Sequence, residues 1–386
     1  MSSTDTPDQG QTSLPEVLEP TSPYSKPNRC MNFVQSCLVP PRVCLTCCIQ
    51  PCARVTNGKK RPTWSFPLQA AISTMRSAVR SIPRDPHHLR FWADHKVPDV
   101  VLPPGAVRSK SQLDHIVVEW VWPRSFVSEM QIGKRSRKTR DKLTKERIID
   151  WSEKRPVVLF LHGGAYIVGS SGSHRGIIYS LAIQGDVLVV APNYRRVPDV
   201  SVPQVVDDCC RTFKYLVDEI GVSPSRIALV GDSAGGALCI LTTCRLREEN
   251  RVLPSCLVLM SPWVELDDRD IEAETRSMPE YDVLPYDAIR EVAFEIAKDI
   301  PIKDPRINPM YTNLCNFPPT LVHAGEVEVL RPQIERFVEK ARSAGVDVTY
   351  ETLQDMVHVG HMFLKFSEIA SDAIARIGQF VSSHSS

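Results

Sequence analysis

The residue whose surroundings most clearly favour chemistry is Ser233, which lies between a buried apolar run and a helical segment in RIALVGDSAGGA. Gly231 and Gly235 stand two positions before and two positions after it. A serine on a sharp strand-to-helix turn needs neighbours with almost no side chain, and the turn directs its hydroxyl towards the positive end of the following helix. Because that end favours an anionic intermediate, the pattern predicts a serine nucleophile for acyl transfer.

A second glycine-containing loop, LFLHGGAYIVGS, also follows a buried apolar run. Acyl transfer places negative charge on a carbonyl oxygen, and hydrogen-bond donors fixed in advance where that charge develops stabilise it. We predict that the backbone N–H groups of Gly163, Gly164 and Ala234 form this oxyanion hole. His162 lies at the end of the apolar run, and we expect it to orient the loop by a hydrogen bond rather than to act as the base.

A serine hydroxyl also needs an imidazole to take its proton and a carboxylate to orient that imidazole. For a nucleophile presented on this kind of turn, the acid and then the histidine follow the serine along the chain. Of the four later histidines, His323 lies inside the apolar run TLVHA and His384 lies in the terminal segment. The loop DMVHVGHMF remains, in which His358 is the preferred base and His361 the alternative.

The loop after TLVHA reads GEVEVLR and offers two carboxylates, those of Glu326 and Glu328. A carboxylate in this loop would lie at the carboxyl ends of the strands, near the histidine loop. Alternation predicts that both side chains point the same way, so the pattern alone does not choose between them. Asp355 is a weaker candidate because it is only three residues from His358.

Five short unbroken apolar runs must position these residues, and unbroken runs are typical of strands buried on both faces. The runs are VVLFL, VLVVA, RIALV, CLVLM and TLVHA. Helical segments such as VVDDCCRTFKYLVDEI separate them, and this alternation indicates a parallel sheet covered by helices. We therefore predict an α/β fold with a mostly parallel central sheet flanked by helices, in a catalytic domain spanning residues 115–386.

Two further segments are predicted to form a helical cap over the carboxyl ends of the strands, where α/β sheets place their sites. One is the insertion at residues 264–312. The other is residues 61–114, where Leu68 and Ile72 belong to a series of apolar residues at helical spacing. A basic stretch at residues 124–150 is predicted to be an exposed insertion; it lacks interleaved aromatic residues and carries acids, so we expect no binding of nucleic acid.

The global charge favours no charged partner, because 46 Lys and Arg residues nearly balance 45 Asp and Glu residues. Residues 1–60 are predicted to be a disordered tail, rich in Ser, Thr and Pro at its start. The chain shows neither a secretory signal pattern nor a run of roughly 18 apolar residues that could span a bilayer. These features predict a cytoplasmic protein.

Six of the twelve cysteines lie in one short segment, residues 30–52 of the predicted tail. No histidines stand at zinc-ligand spacing beside them, so we expect no metal site. Cysteines grouped near apolar residues and a basic run at 59–61 raise the hypothesis of S-acylation and peripheral membrane association. The remaining cysteines, such as Cys239 and Cys256, are expected to be small buried hydrophobic residues.

Taken together, these motifs resemble the hormone-sensitive-lipase-like branch of the α/β-hydrolases, which includes arylacetamide deacetylases, bacterial esterases and fungal steryl acetyl hydrolases. The resemblance runs from about residue 115 to the end of the chain. Its motifs, in order, are HGG at 162–164, a Tyr-Arg-to-Pro stretch at 194–198, GDSAGG at 231–236, SPW at 261–263, an acid loop at 325–331 and a histidine loop at 355–363.

The chain departs from the family pattern in two places. Ala165 replaces the third glycine of the common HGGG, and Val327 stands where many relatives carry aspartate. In relatives that read G-x-x-E followed by an apolar residue and leucine, the glutamate serves as the acid. The resemblance therefore favours Glu328 over Glu326.

The resemblance implies a serine carboxylesterase or lipase that hydrolyses small-molecule esters through an acyl-enzyme, without a metal or organic cofactor. Aromatic and methionine residues in the predicted cap, such as Trp64, Phe66, Met75 and Met278, favour an apolar substrate. Two other functions fit the same fold. One is an amide deacetylase, and the other is a non-catalytic receptor similar to plant gibberellin receptors, in which the catalytic histidine is lost.

Overall fold

The computed structural model describes residues 16–18, 61–81, 86, 89–90, 106–129, 145–267 and 281–385. In this part of the chain, nine strands form one sheet with the order β1-β2-β3-β5-β4-β6-β7-β8-β9. The strands are β1 Glu16–Leu18, β2 Val107–Leu113, β3 Ile116–Trp122, β4 Val157–Leu161, β5 Leu188–Asn193, β6 Ile227–Asp232, β7 Cys256–Met260, β8 Thr320–Gly325 and β9 Val348–Leu353.

The sheet is mostly parallel. Strands β5, β4, β6, β7, β8 and β9 pair in parallel, whereas β1, β2 and β3 are antiparallel to their neighbours. Every residue of β4, β6, β7 and β8 is buried, as expected for unbroken apolar strands covered on both faces. The predicted α/β fold class is confirmed.

Helices cover both faces of the sheet and create two apolar cores. One core joins α4 and α9 to one face of the sheet, and the other joins α5, α6 and α8 to the opposite face. The helices described are α1 Phe66–Ser81, α2 Arg124–Glu129, α3 Lys145–Lys154, α4 Arg175–Gln184, α5 Val202–Lys214, α6 Ala234–Glu248, α7 Tyr286–Ile296, α8 Arg331–Ser343 and α9 Glu368–His384.

The structure differs from the sequence expectation at the amino-terminal edge of the sheet. Residues 107–113 were expected in the helical cap segment, yet they form β2 and pair antiparallel with β3. Their side chains alternate between buried and less buried positions, as in a strand with one covered face. Residues 16–18 were expected in the disordered tail, yet they pair with β2 as β1. The rest of the predicted tail at 1–60, including the cysteine-rich segment, lies outside the described residues.

The two predicted cap segments and the basic insertion are described in part. Helix α1 lies in the first cap segment, and α7 lies in the 264–312 insertion, of which residues 268–280 are outside the described residues. The basic insertion contains α2 and the start of α3, whereas residues 130–144 are outside the description.

Helix α1 packs against the loops that follow β8 and β9. Trp64, Leu68 and Ile72 share an apolar cluster with Val327 and Met356. The first cap segment therefore contacts the two loops predicted to carry the acid and the histidine.

Two further expectations concern cysteines and membrane spans. Five cysteines of the described residues are buried, namely Cys209, Cys210, Cys239, Cys244 and Cys256. Cys315 is exposed, so the expectation of burial is wrong at that position. No helix within the described ranges has both the length and the apolar character that a bilayer crossing requires.

Candidate active site

Ser233 lies at the turn between β6 and α6, in a backbone conformation that few non-glycine residues adopt. Its φ is 52° and its ψ is −121°. The N–H of Ser233 donates to the carbonyl of Met260 at 2.9 Å, which fixes the turn to the neighbouring strand. A Cβ on Gly235 would lie 2.0 Å from the carbonyl oxygen of Leu161, so only glycine allows this close approach.

His358 lies beside this serine. Its Nε2 is 2.9 Å from Oγ of Ser233, a hydrogen-bond distance. The loop after β9 presents this imidazole: the N–H of Val359 donates to Oγ of Ser261 at 3.1 Å, and Val359 adopts a left-handed conformation with φ of 47°. The structure thus brings together the serine and the preferred histidine, although 125 positions separate them in sequence.

Glu328 lies on the other side of the imidazole and is fully buried. Its Oε2 is 3.5 Å from Nδ1 of His358, an ion-pair distance longer than an ordinary hydrogen bond. Burial lowers the pKa of His358, but the carboxylates of Glu328, Asp282 and Asp232 together raise it by more. The net result is a pKa for His358 above its ordinary value.

Glu326 points elsewhere. Its carboxylate accepts a hydrogen bond from the N–H of Asp355 at 2.7 Å. The expectation that Glu326 and Glu328 point the same way is wrong, because β8 ends at Gly325 and the chain then turns. A Cβ on Gly325 would lie 2.5 Å from the carbonyl oxygen of Met356, so this glycine lets the acid loop and the histidine loop pack together.

His361 and Asp355 also have other partners. Nε2 of His361 is 3.0 Å from Nδ1 of His323, and both rings are fully buried and stacked. Burial, followed by the charge of His323, lowers the pKa of His361 well below its ordinary value. The carboxylate of Asp355 accepts hydrogen bonds from the N–H and the hydroxyl of Thr63, at 3.1 and 2.9 Å.

The loop predicted to supply the oxyanion hole requires one correction. The N–H of Gly163 already donates to Oδ1 of Asp232 at 3.0 Å, so the geometry does not support Gly163 as a donor to substrate. Among the described residues, no acceptor is found for the N–H groups of Gly164 and Ala165. Ala234 is the first residue of α6, and the N–H groups in the first turn of a helix have no acceptor within the helix.

Buried polar residues support this loop from behind. Asp232 also lies 3.2 Å from Nε2 of His174. Burial raises the pKa of Asp232, but His174 and the N–H of Gly163 lower it by more. His162 places Nδ1 2.8 Å from the carbonyl oxygen of Gly163 and stacks on Tyr194 with ring centroids 4.1 Å apart. Burial, followed by the charge of His174, lowers the pKa of His162 to about 3, which keeps it neutral.

Sequence reasoning missed Asp282, which lies just before α7. Its carboxylate is fully buried and accepts backbone hydrogen bonds from Val283, Val329 and His358, at 2.7, 2.8 and 2.8 Å. Burial raises its pKa to about 6. No local pattern indicated this residue, because the contact with His358 spans 76 positions.

The described residues contain no group of three or more His, Cys, Asp or Glu side chains that could hold a metal ion. The polar residues around Ser233 instead form a nucleophile turn, an imidazole, a buried carboxylate and free amides. On this sheet, that combination defines a hydrolase of the α/β type.

Comparisons with known proteins give the family. A family model described as "alpha/beta hydrolase fold" matches residues 158–362, more than half of the chain. An acetyl-hydrolase from Streptomyces hygroscopicus is 32% identical over 224 residues, covering 58% of this chain and 74% of that protein. An esterase from Acinetobacter venetianus is 31% identical over 230 residues, covering 59% of this chain and 75% of that protein.

Among solved structures, an esterase from the bacterial hormone-sensitive lipase family superposes with a TM-score of 0.70 at 26% identity, covering 83% of this chain and 99% of that chain. The chain therefore belongs to the alpha/beta hydrolase fold family, in its hormone-sensitive-lipase-like branch. It is a carboxylic ester hydrolase, and the predicted family and enzyme class are confirmed.

Proposed function

We propose that this enzyme hydrolyses esters of apolar substrates through an acyl-enzyme on Ser233, with His358 as base and Glu328 as its acid. The observation that carries the proposal is the 2.9 Å separation of Oγ of Ser233 and Nε2 of His358. That contact occurs on a strained turn at the start of a helix, where the fold presents nucleophiles.

In the proposed mechanism, Nε2 of His358 takes the proton from Ser233 as Oγ attacks the ester carbonyl carbon. The resulting imidazolium is stabilised by the carboxylate of Glu328, and it returns the proton to the departing alcohol oxygen as the C–O bond breaks. A water molecule then gives a proton to the same imidazole and attacks the acyl-enzyme. The acid is released and Ser233 recovers its proton.

The oxyanion of the tetrahedral intermediate is proposed to accept hydrogen bonds from Gly164, Ala165 and Ala234. This set replaces Gly163, whose amide is held by Asp232. A fixed donor of this type contributes about 3 to 4 kcal/mol to transition-state stability. Ala165 adopts a left-handed backbone conformation in this loop, with φ of 53°.

The substrate is proposed to be a small ester with an apolar acyl group or alcohol. The backbone of Trp263 lies beside the nucleophile, since its main-chain N–H donates to the carbonyl of Ser233 at 3.0 Å. The centroid of the Trp263 ring is 6.2 Å from that of Tyr166. Both rings are buried, so they favour an apolar neighbour. The acetyl-hydrolase among the relatives makes acetyl esters the first substrates to assay.

A fluorophosphonate probe tests the proposal, because it reacts covalently with an activated serine. We expect labelling and p-nitrophenyl ester turnover in the wild type, loss of both in Ser233→Ala, and wild-type behaviour in Ser255→Ala. Ser255 is a matched control at the opposite end of the sheet, before β7. An unlabelled wild type would favour the receptor function, and faster turnover of amides than of esters would favour a deacetylase.

We also propose that the enzyme is cytoplasmic and associates peripherally with membranes through the cysteine-rich segment at 30–52. This proposal is supported by sequence alone: six cysteines precede a basic run at 59–61. Acyl-exchange labelling of the expressed protein should detect thioesters in this segment. Absence of thioesters, with the enzyme recovered only in the soluble fraction, would contradict it.

A further inference from the structure

Asp282 makes an unusual set of contacts for a carboxylate in a cap insertion. Its Oδ1 accepts hydrogen bonds from the N–H of Val283 and from the N–H of His358, and its Oδ2 accepts one from the N–H of Val329. The side chain is fully buried. One carboxylate thus binds the backbone of the histidine loop with one oxygen and the backbone of the acid loop with the other.

Backbone contacts matter for the two loops because the proposed acid and base side chains do not hold each other by a hydrogen bond. Within the described residues, neither carboxylate oxygen of Glu328 has a hydrogen-bond partner, and Nδ1 of His358 has none either. The 3.5 Å separation of Oε2 of Glu328 and Nδ1 of His358 therefore depends on the backbone of the two loops. Asp282 joins those loops alongside the hydrogen bond from the N–H of Val327 to the carbonyl of Met356. A shift of about 1 Å in a catalytic group is enough to cost about 100-fold in rate.

Asp282 also contributes charge. The charged groups that act on it are His358, which lowers its pKa, and Glu328, which raises it. For His358, the carboxylates of Glu328, Asp282 and Asp232 all favour the protonated imidazole. A negative charge on Asp282 therefore makes the proposed base more basic, in addition to fixing its position.

We infer that Asp282 is a positioning residue that holds the acid loop and the histidine loop in register. The inference rests on the proposed roles of Ser233, Glu328 and His358. Asp282 itself lies in the segment that leads into α7, so it also connects the cap to both catalytic loops.

The test compares Asp282→Asn and Asp282→Glu with Asp267→Asn as the matched control. Asp267 is also a cap carboxylate, but it contacts Asn308 and Tyr311 rather than either loop. For Asp282→Asn we expect a fall in kcat of at least about tenfold with KM within about twofold. The acid limb of the kcat/KM profile should also move to lower pH, because a charge that favours the imidazolium is removed.

Asp282→Glu keeps the charge and changes the geometry, so kcat should fall while the acid limb moves less than in Asp282→Asn. Asp267→Asn should match the wild type in both respects. An Asp282→Asn enzyme with unchanged kcat and an unmoved acid limb would overturn the inference. Failure of both Asp282 variants to fold, with Asp267→Asn folded, would also overturn it, because Asp282 would then serve stability alone.

This outcome is separable from failure of the proposed function. A wild type that labels with fluorophosphonate at Ser233 and turns over esters establishes the function before any Asp282 variant is measured. If the wild type does neither, the proposed function fails, and the inference falls with it.

Discussion

At the scale of single residues, environment decides which of several similar side chains can do chemistry. Three residues around the predicted base illustrate this: Glu328 faces the imidazole of His358, whereas Glu326 accepts from a backbone N–H and His361 pairs with another histidine. Burial and neighbouring charge then leave the pKa of His358 above its ordinary value and that of His361 well below it.

The pH dependence of activity follows from the environment of His358. Only the neutral imidazole accepts the proton of Ser233, and the neighbouring carboxylates raise the pKa of His358 despite its burial. Activity should therefore be present at alkaline pH and be lost as the pH falls through a midpoint above about 6.5, the ordinary value for histidine. A kcat/KM profile measures this midpoint. A midpoint below that value, or a flat profile, would contradict the assignment.

Paired substitutions distinguish the two glutamates. Glu328→Gln should lower kcat by about 10³-fold with little change in KM, because the imidazolium loses its counter-charge. Glu326→Gln should cost less than about tenfold, since an amide oxygen still accepts from the N–H of Asp355. Steady-state ester turnover measures both. A fully active Glu328→Gln enzyme would contradict our choice of acid.

Local sequence was enough to predict some of these residues and not others. Ser233 stands in a contiguous strand–turn–helix pattern, so its environment can be predicted from nearby residues alone. Gly163 is hydrogen-bonded to Asp232, 69 positions away, and Asp282 to His358, 76 positions away. No local sequence pattern encodes those contacts. The local pattern likewise did not separate Glu326 from Glu328; the family resemblance favoured Glu328, and the turn after β8 explains why the two side chains point in different directions.

At the scale of elements, the histidine loop after β9 is held by the segment before α1. The carboxylate of Asp355 accepts from Thr63 and forms an ion pair with Arg61 at 3.0 Å, while the indole N–H of Trp64 donates to the carbonyl of Asp355 at 2.8 Å. The first cap segment is thereby attached to the loop that carries His358.

We expect Asp355→Asn to weaken this attachment. The variant keeps one acceptor oxygen but loses the charge that pairs with Arg61, so the free energy of unfolding should fall by about 1 to 3 kcal/mol. Urea denaturation measures the loss. Asp347→Asn, at an exposed position before β9, should change stability by less than about 0.5 kcal/mol. Equal stability of the two variants would show that the attachment contributes nothing.

The sequence predicted the central elements better than those at the edge. Strands β4 to β8 are unbroken apolar runs because both of their faces are covered. Strand β2, VRSKSQL, is polar at alternate positions and near the sheet edge, so its composition resembles that of a loop.

At the scale of the whole molecule, positive and negative side chains nearly balance, and the proposed substrate is uncharged. The formal net charge is +1, and Trp263, whose backbone N–H donates to the carbonyl of Ser233, has a buried side chain. Attraction of a neutral ester should therefore owe little to long-range electrostatics.

The salt dependence of turnover tests this view. Between about 0.01 M and 1 M salt the screening length falls from about 30 Å to about 3 Å. For a neutral p-nitrophenyl ester we expect kcat/KM to change by less than about threefold over that range. A tenfold or larger loss at high salt would instead indicate that charged groups of the enzyme attract the substrate.

The central claim is that Ser233 carries the acyl group during turnover, and trapping that intermediate tests it most directly. The enzyme would be mixed with excess p-nitrophenyl acetate, quenched in acid during turnover and mapped by peptide mass spectrometry. We predict one acetyl group per chain on the peptide containing Ser233, and none in Ser233→Ala, which should not turn over the ester. Acetylation at another residue, or undiminished turnover by Ser233→Ala, would contradict the mechanism.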